Sequence, residues 1–505
     1  MKDVYSKYLS FGITCLLIGV IGIVVFSVAQ YTGDMNVPDA YGLVWDAGSS
    51  ASRLYIYSWP VNKQYSTALV SEIDRCQAEG EGLSSYLDDP AGAGRSLEKC
   101  MNETAMVTVP EEDHADSILG LGCTAGMRLA EKESKEESDA VMEAVEQTLN
   151  SYPFNVQSVS ILTGGEEGSF SWNTVNYLLG NFAKGPALLS WILPSASASE
   201  TVGALDMGGA SLQISFIPED LSVVPAENKE FLRMYGEDYI IYTHSYLCYG
   251  SNEALRRHLA TLVKEANYTS QVVDPCSPDG FSKKYTAEYL FDAYCSTGQE
   301  ALKAWGSEVT LPPGFPQNSN FTLVGSSDPV QCEKEVQKLF NTTTFLSVYK
   351  PPVTGEFYAF STFFYTVTFM NLSNDVGLTD YKTGVDDLCG KPWSEVENMP
   401  TRRKDQLHTQ CFRGMFCYLF LTDPMSYNFT EETWNIQFVG DIGGTTVGWA
   451  LGLMLNVTNG IPSEDGIQEY PLSTGAYVFS IVLFSILAVV GLIIVVYVGR
   501  IKYEA

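Results

Sequence analysis

The chain has 505 residues, with 60 acidic side chains against 30 basic ones and a formal net charge of −30. That balance excludes a nucleic-acid-binding footprint, and it means that any polyphosphate handled here needs local charge neutralisation, for which a divalent cation is the ready means. The length points to more than one domain, and four scattered histidines (His114, His244, His258, His408) with no Cys-x-x-Cys argue against zinc.

Residues 8–30 and 476–498 carry no charge and are mostly apolar. Each reaches the roughly 20 residues needed to span a bilayer. The first is long and lacks a small-x-small exit, so it reads as an uncleaved anchor rather than a signal peptide. Lys2 and Lys7 precede it, and Arg500 and Lys502 follow the second span. The positive-inside rule then makes both tails, 1–7 and 499–505, cytoplasmic and everything between them external. Glycines and small residues in the spans leave room for a homo-oligomer packed through them. Sequons at Asn102, Asn267, Asn320, Asn341, Asn371, Asn428 and Asn456 all lie in the external part and mark the secretory route. Apart from Cys15 in the first span, the cysteines lie in that oxidising setting. Local spacing points to Cys76 with Cys100 and Cys389 with Cys411.

Residues 43–57, LVWDAGSSASRLYIY, read as an apolar strand, Asp46, a small flexible loop (Gly48, Ser49, Ser50, Ala51) and a second alternating strand. Such a turn faces several N–H groups outward as an anion-binding nest. A single one is explained as well by a structural hairpin. Residues 117–130, SILGLGCTAGMRLA, are predicted to run strand, small-residue turn, helix, the helix continuing to Asn150 with Val141, Val145 and Leu149 at helical spacing. Thr124 at the turn either caps the helix or offers its hydroxyl to a phosphate. A strand over 159–163 is followed by a glycine-flanked turn with Glu166 and Glu167, the place where open α/β sheets put their chemistry. Trp172, Tyr177, Leu178 and Leu179 then read as the buried face of a helix.

Residues 204–216, ALDMGGASLQISF, repeat the first hairpin. Asp46-Ala47-Gly48-Ser49-Ser50-Ala51 aligns with Asp206-Met207-Gly208-Gly209-Ala210-Ser211. Two copies indicate an internal duplication, with two lobes that each offer one loop to a shared phosphate clamp. Residues 243–265 are predicted helical, and the part up to about Thr354 is stapled by Cys276, Cys295 and Cys332. The aromatic run FYAFSTFFYT at 357–366 is mostly core, with one ring free to stack on a nucleobase. A Gly-Gly-Thr-Thr turn and a helix fill 441–460. No Walker Gly-x-x-x-x-Gly-Lys occurs, so backbone N–H groups and metal must meet the phosphate charge.

WDAGSSASRLYIY, LGCTAGMRLA, LTGGEEGSFSWNTVNYLLG, ALDMGGASLQISF and FYAFSTFFYT stand in the order of five apyrase-conserved regions. On these motifs the chain closely resembles the cell-surface ecto-nucleoside triphosphate diphosphohydrolases, over its whole length. The resemblance implies an α/β ectodomain of two actin/sugar-kinase-like (ribonuclease H-like) lobes with the site in the interlobe cleft, flanked by two transmembrane helices. It divides the ectodomain into a first lobe at 38–162, a second at 163–441 and a return to the first at 442–470. It also implies Ca²⁺- or Mg²⁺-dependent hydrolysis of extracellular nucleoside tri- and diphosphates at the plasma membrane. Matched residue by residue, Glu167 takes the place of the catalytic base and Ser211 that of the serine positioning the water. Asp46 and Asp206, with Gln213 in the same shell, match the groups holding the hydrated metal. Gly48, Ser49, Ser50, Ala51, Thr124, Gly208, Gly209 and Ala210 match the phosphate-binding positions. The family pattern pairs Cys248 with Cys295 and Cys276 with Cys332, leaving Cys123 and Cys417 without partners. Ser251 stands where relatives often carry a basic residue, and Gln410 where they often carry tyrosine. Tyr365 is then the main remaining base-stacking group, which favours broad nucleobase use.

Overall fold

The computed structural model describes residues 2–31, 35–63, 66–182, 201–401, 403–464, 467–468 and 474–504; residues 64–65, 183–200, 402, 465–466 and 469–470 of the expected lobes lie outside the described residues. The two ends of the chain, with residues 60–62, form one unit and the other residues between them a second.

In the terminal unit, helices Lys2–Tyr31 and Thr474–Glu504 carry apolar spans at Ser6–Val28 and Gly475–Ile501. The two run antiparallel, with Gly12 against Ile494, Gly19 against Ala488 and Gly22 against Phe484. A Cβ on Gly19 would lie 2.5 Å from the Ala488 nitrogen, so only glycine admits this approach. The small residues read as an oligomer surface are therefore used inside one chain.

The second unit is built on two mixed sheets with one connectivity. In the first, β1 (Asp39–Ala47), β2 (Ser52–Pro60), β3 (Ser71–Gln77), β4 (Ile118–Cys123) and β5 (Asn155–Ile161) lie in the order β3-β2-β1-β4-β5. In the second, β6 (Gly203–Met207), β7 (Ser211–Phe216), β8 (Lys229–Met234), β9 (Glu237–Leu247), β10 (Phe357–Ser361) and β11 (Ile436–Phe438) lie in the order β11-β10-β6-β7-β9-β8. Each sheet is thus a central strand with a hairpin partner and a third antiparallel strand on one side, and two parallel strands on the other. Strand β8 is an added edge. A helix follows each inner parallel strand, Ala125–Glu133 after β4 and Thr362–Phe369 after β10. The duplication inferred from two short loops extends to the whole strand order.

Helices Gly164–Leu178 and Trp449–Thr458 pack against each other, joined by Gly452 N–H donating to Thr174 Oγ1 at 2.8 Å. Their apolar cluster takes in Val44 and Tyr57 from the first sheet and Ala204 and Phe360 from the second, and so forms a common layer between them. A three-stranded sheet of Gln271–Asp274, Asn320–Gly325 and Ser282–Thr286 lies in the cysteine-stapled insertion.

Several elements differ from the sequence expectation. The helix predicted through Asn150 breaks at Ser134, whose hydroxyl accepts from Glu137 N–H and starts a new helix, Lys135–Leu149. Thr243 to Leu247 belongs to strand β9, and the helix begins only at Ser251. Glu166 and Glu167 lie in the first turn of the Gly164–Leu178 helix rather than in a loop.

Candidate active site

Each hairpin tip closes on the same bond, Gly48 N–H to Ala51 O at 3.1 Å and Gly208 N–H to Ser211 O at 3.0 Å. Behind the second tip, the Ser251–Glu265 helix donates Ser251 N–H to Gly208 O and Asn252 N–H to Gly209 O, both at 2.9 Å. Cys248 N–H takes Ala210 O at 2.8 Å. With three successive carbonyls drawn backwards, the N–H groups of Gly209 and Ala210 donate to no backbone carbonyl among the described residues. They are available to an anion. The two tips face each other closely: a Cβ placed on Gly209 would lie 2.6 Å from Ser49 Oγ and 3.2 Å from Ser50 Oγ. Thr124 precedes the Ala125–Glu133 helix, but its buried side chain makes no capping bond. Of the two expected uses of that hydroxyl, capping is absent.

The two adjacent acids have separate tasks. Glu166 Oε2 accepts from Thr163 N–H and Oγ1 while Thr163 Oγ1 accepts from Glu166 N–H, a complete capping box. Glu167, one residue on, is turned inward and only 6 % exposed. Its Oε2 accepts from Arg128 Nη2 at 2.7 Å and Gln213 Nε2 at 2.9 Å. Ser211 Oγ accepts from Gln213 Nε2 at 2.6 Å and Arg128 Nη2 at 3.1 Å, and its own hydroxyl bonds Glu167. Burial raises the Glu167 carboxyl above its usual range, opposed by the Arg128 guanidinium. Removing either partner of such a buried pair strands a charge, at about 3–5 kcal/mol.

Asp46 and Asp206 end the central strands β1 and β6. Burial pushes Asp46 up to about 6, opposed by Arg53 and reinforced by Glu167, while the Trp449 indole donates to its Oδ1 at 3.1 Å. Asp206 is pushed to about 7 by burial and then by Glu167, with a Ser361 hydrogen bond opposing. Ser361 has φ 56°, a left-handed conformation outside glycine, at the end of β10. Such strain costs about 1–3 kcal/mol and collects at functional sites. Among the described residues, two buried oxygens here, Asp206 Oδ1 and Gln213 Oε1, have no donor, and their residues are register partners on β6 and β7. Gln213 therefore spans two sides, its amide nitrogen on Glu167 and its oxygen unpaired. Asp46, Asp206, Arg53, Ser361, Trp449 and Tyr365 wall a cavity of about 120 Å³. That is room for several waters. Tyr365 is 65 % exposed, whereas Phe357, Phe360 and Phe363 of the same run are fully buried.

Sequence reasoning missed Arg128, Trp449, Ser361 and Asn252. Arg128 had a local signal, being one helical turn past Thr124 and so on the same face. Trp449 lies 403 positions from Asp46, so nothing local linked the two.

Disulfides join Cys76–Cys100, Cys248–Cys295, Cys276–Cys332 and Cys389–Cys411, leaving Cys123 and Cys417 as buried thiols. All seven sequon asparagines are exposed.

The GDA1/CD39 (nucleoside phosphatase) family profile matches residues 34–470. Ectonucleoside triphosphate diphosphohydrolase 8 of Gallus gallus is 38 % identical over 458 residues, covering 89 % of each chain. Ectonucleoside triphosphate diphosphohydrolase 2 of Gallus gallus is also 38 % identical, over 93 % of each chain. Ectonucleoside triphosphate diphosphohydrolase 3 of Homo sapiens is 32 % identical over 98 % of this chain and 93 % of the relative. The crystal structure of nucleoside triphosphate hydrolases from Neospora caninum shares the fold, with TM-score 0.61 at 15 % identity over 84 % of this chain and 93 % of that one. With matched loops on duplicated sheets, an inward carboxylate between them and these relatives along most of its length, this chain belongs to the GDA1/CD39 (nucleoside phosphatase) family.

Proposed function

We propose that the chain is a membrane-anchored ecto-enzyme that hydrolyses nucleoside tri- and diphosphates to monophosphates and phosphate. Glu167 is the base, and Asp46, Asp206 and Gln213 would hold a divalent cation, Ca²⁺ or Mg²⁺. The second unit lies outside the plasma membrane in this reading, its seven sequons glycosylated and its two ends anchored. The observation that carries it is the closed cluster of Glu167, Arg128, Ser211 and Gln213 beside two cradles of backbone N–H groups.

A cation fits the residues present. Two buried aspartates whose affinity for protons Glu167 raises, and two buried oxygens with no donor among the described residues, are what a hydrated cation satisfies. When bound, it would offset phosphate charge that the protein's few cations cannot.

The rest follows from the chain's own groups. Phosphoryl transfer requires in-line positioning and charge stabilisation more than covalent chemistry. Ser49, Ser50 and Thr124 offer hydroxyls, and Gly209 and Ala210 offer N–H groups, to the polyphosphate. Arg128 and Gln213 occupy Glu167 Oε2, which leaves Oε1 to take the proton of a water aligned with the terminal phosphorus. Ser211 holds that water beside Glu167. Tyr365 stands on the cavity wall with most of its ring free for a base.

The test is a product time course on the full chain in detergent micelles with ATP or ADP and Ca²⁺ or Mg²⁺, following ATP, ADP and AMP together. AMP and phosphate accumulating in wild type and absent in Glu167→Ala is the expected result. A folded wild type that consumes neither nucleotide overturns the reading.

A further inference from the structure

Arg413, on the Gln410–Thr422 helix, is 9 % exposed and makes no ion pair among the described residues. A buried guanidinium without a carboxylate requires explanation, because an isolated buried charge is costly. Its bonds all go to neutral groups: Nε to Thr409 Oγ1 at 3.1 Å, Nη1 to Ser251 Oγ at 2.6 Å and Nη2 to Asn252 Oδ1 at 2.7 Å. Ser251 and Asn252 are the residues whose N–H groups hold the second hairpin tip. Thr362 Oγ1 also donates to Ser251 Oγ, at 3.2 Å. The positive charge is thus fastened directly behind a phosphate cradle.

The bond to Asn252 has a directional consequence. A carboxamide has an oxygen that only accepts and a nitrogen that only donates, and Arg413 offers only donors. The oxygen must therefore face Arg413, and the NH₂ group must face away. There it stands at the gap between the two tips: Asn252 Nδ2 lies 2.9 Å from the point a Gly209 Cβ would occupy, and Ser49 Oγ lies 2.6 Å from the same point. Among the described residues, no acceptor takes this NH₂ group.

We infer that Asn252 is a further phosphate-binding residue, donating through Nδ2 to the polyphosphate tail of a nucleotide, and that Arg413 is its positioning residue. The guanidinium locks the carboxamide with its donors toward the substrate and polarises them. This rests on the nucleotide-hydrolase reading and adds a side-chain donor to the second tip.

The test is steady-state kinetics on the full chain in micelles with ATP and ADP. Asn252→Ala is expected to raise KM about tenfold, with kcat within about twofold, the signature of binding lost equally from ground and transition states. Asn252→Asp, which sets a carboxylate against the phosphate and pairs with Arg413, is expected to raise KM about a hundredfold. Arg413→Gln should match Asn252→Ala, and the double variant should be no worse than either single one, because Arg413 acts through Asn252. Should Arg413→Gln fail to fold, the two Asn252 variants decide. An active wild type with unchanged KM in Asn252→Ala and Asn252→Asp overturns this inference alone, as does additivity in the double variant. A wild type that consumes no nucleotide overturns the hydrolase reading and this inference with it.

Discussion

The Asp46–Ala51 and Asp206–Ser211 hairpins close on the same backbone bond, yet their side chains have diverged in opposite directions. The first tip carries two hydroxyls, Ser49 and Ser50, and its aspartate is held by the Trp449 indole. The second tip is Gly209-Ala210, bare of donors except its N–H groups, and its aspartate keeps one oxygen without a partner. Its hydroxyl comes one position later, at Ser211, and is turned into the Glu167 cluster. Glu167 itself follows the last strand of the first sheet and joins Arg128, on the helix after β4, to Gln213 of the second. A duplicated cradle therefore keeps its backbone, which any phosphate needs, while its side chains divide into a half that grips and a half that reacts.

The largest expected effect tests that division. Glu167→Ala should lower kcat by about 10²- to 10⁴-fold, the usual worth of a general base, in a phosphate-release assay. Its neighbour is the control. Glu166→Ala loses only the capping box, so about 0.5–2 kcal/mol of stability by thermal melting, with kcat nearly unchanged. Equal losses of kcat in the two would erase the distinction between them. Next in size is the cation. A chelator in excess should stop turnover, and Asp46→Asn and Asp206→Asn should each raise the metal concentration for half-maximal rate by about 10- to 100-fold, as for groups that hold a metal through its waters. Asp206→Asn should be the worse of the two, since among the described residues no donor shares the load of its Oδ1.

What could be read from the sequence follows the same contrast. The hairpins were legible because alternation, an aspartate and a run of small residues lie within 15 positions, and the repeat doubled the signal. The β3 strand, SEIDRCQ, was not: it is an edge strand exposed along most of its length, and so shows no buried face to alternate. The helix break at Ser134 did carry a signal, Ser-x-x-Glu from Ser134 to Glu137, but it sits inside a run whose helical spacing continues on both sides. The choice between Glu166 and Glu167 followed from the resemblance, and its physical reason appears only in the fold, where Thr163 claims the first acid. Partners across the chain, such as Trp449 for Asp46 and Arg413 for Asn252, leave no local pattern at all.

Two smaller changes sharpen the comparison by loosening one tip at a time. Trp449→Phe removes the indole bond to Asp46 and leaves the second tip untouched. The expected cost is about 1.5–3 kcal/mol in melting experiments, the range for a hydrogen bond to a charged group. Its aspartate then resembles Asp206, so the two should come closer in what Asn substitution does to the metal requirement.

Gly250→Ala acts on the other tip. Gly250 caps the Ser251–Glu265 helix, and a Cβ there would overlap the Ala210 nitrogen and the Gly209 carbonyl carbon, neither of which can turn aside as a side chain would. The tip must shift outward or the helix start must retreat, and either lengthens the bonds from Ser251 and Asn252 N–H to the tip carbonyls. Overpacking of this kind costs about 1–3 kcal/mol. The kinetic expectation is a higher KM for ATP and ADP with the metal requirement unchanged, because Asp46 and Asp206 lie at the strand ends before the turns. If Gly250→Ala raised the metal requirement and left KM alone, the second tip would belong to the cation rather than to the phosphates, and the division between gripping and reacting halves would have to be redrawn.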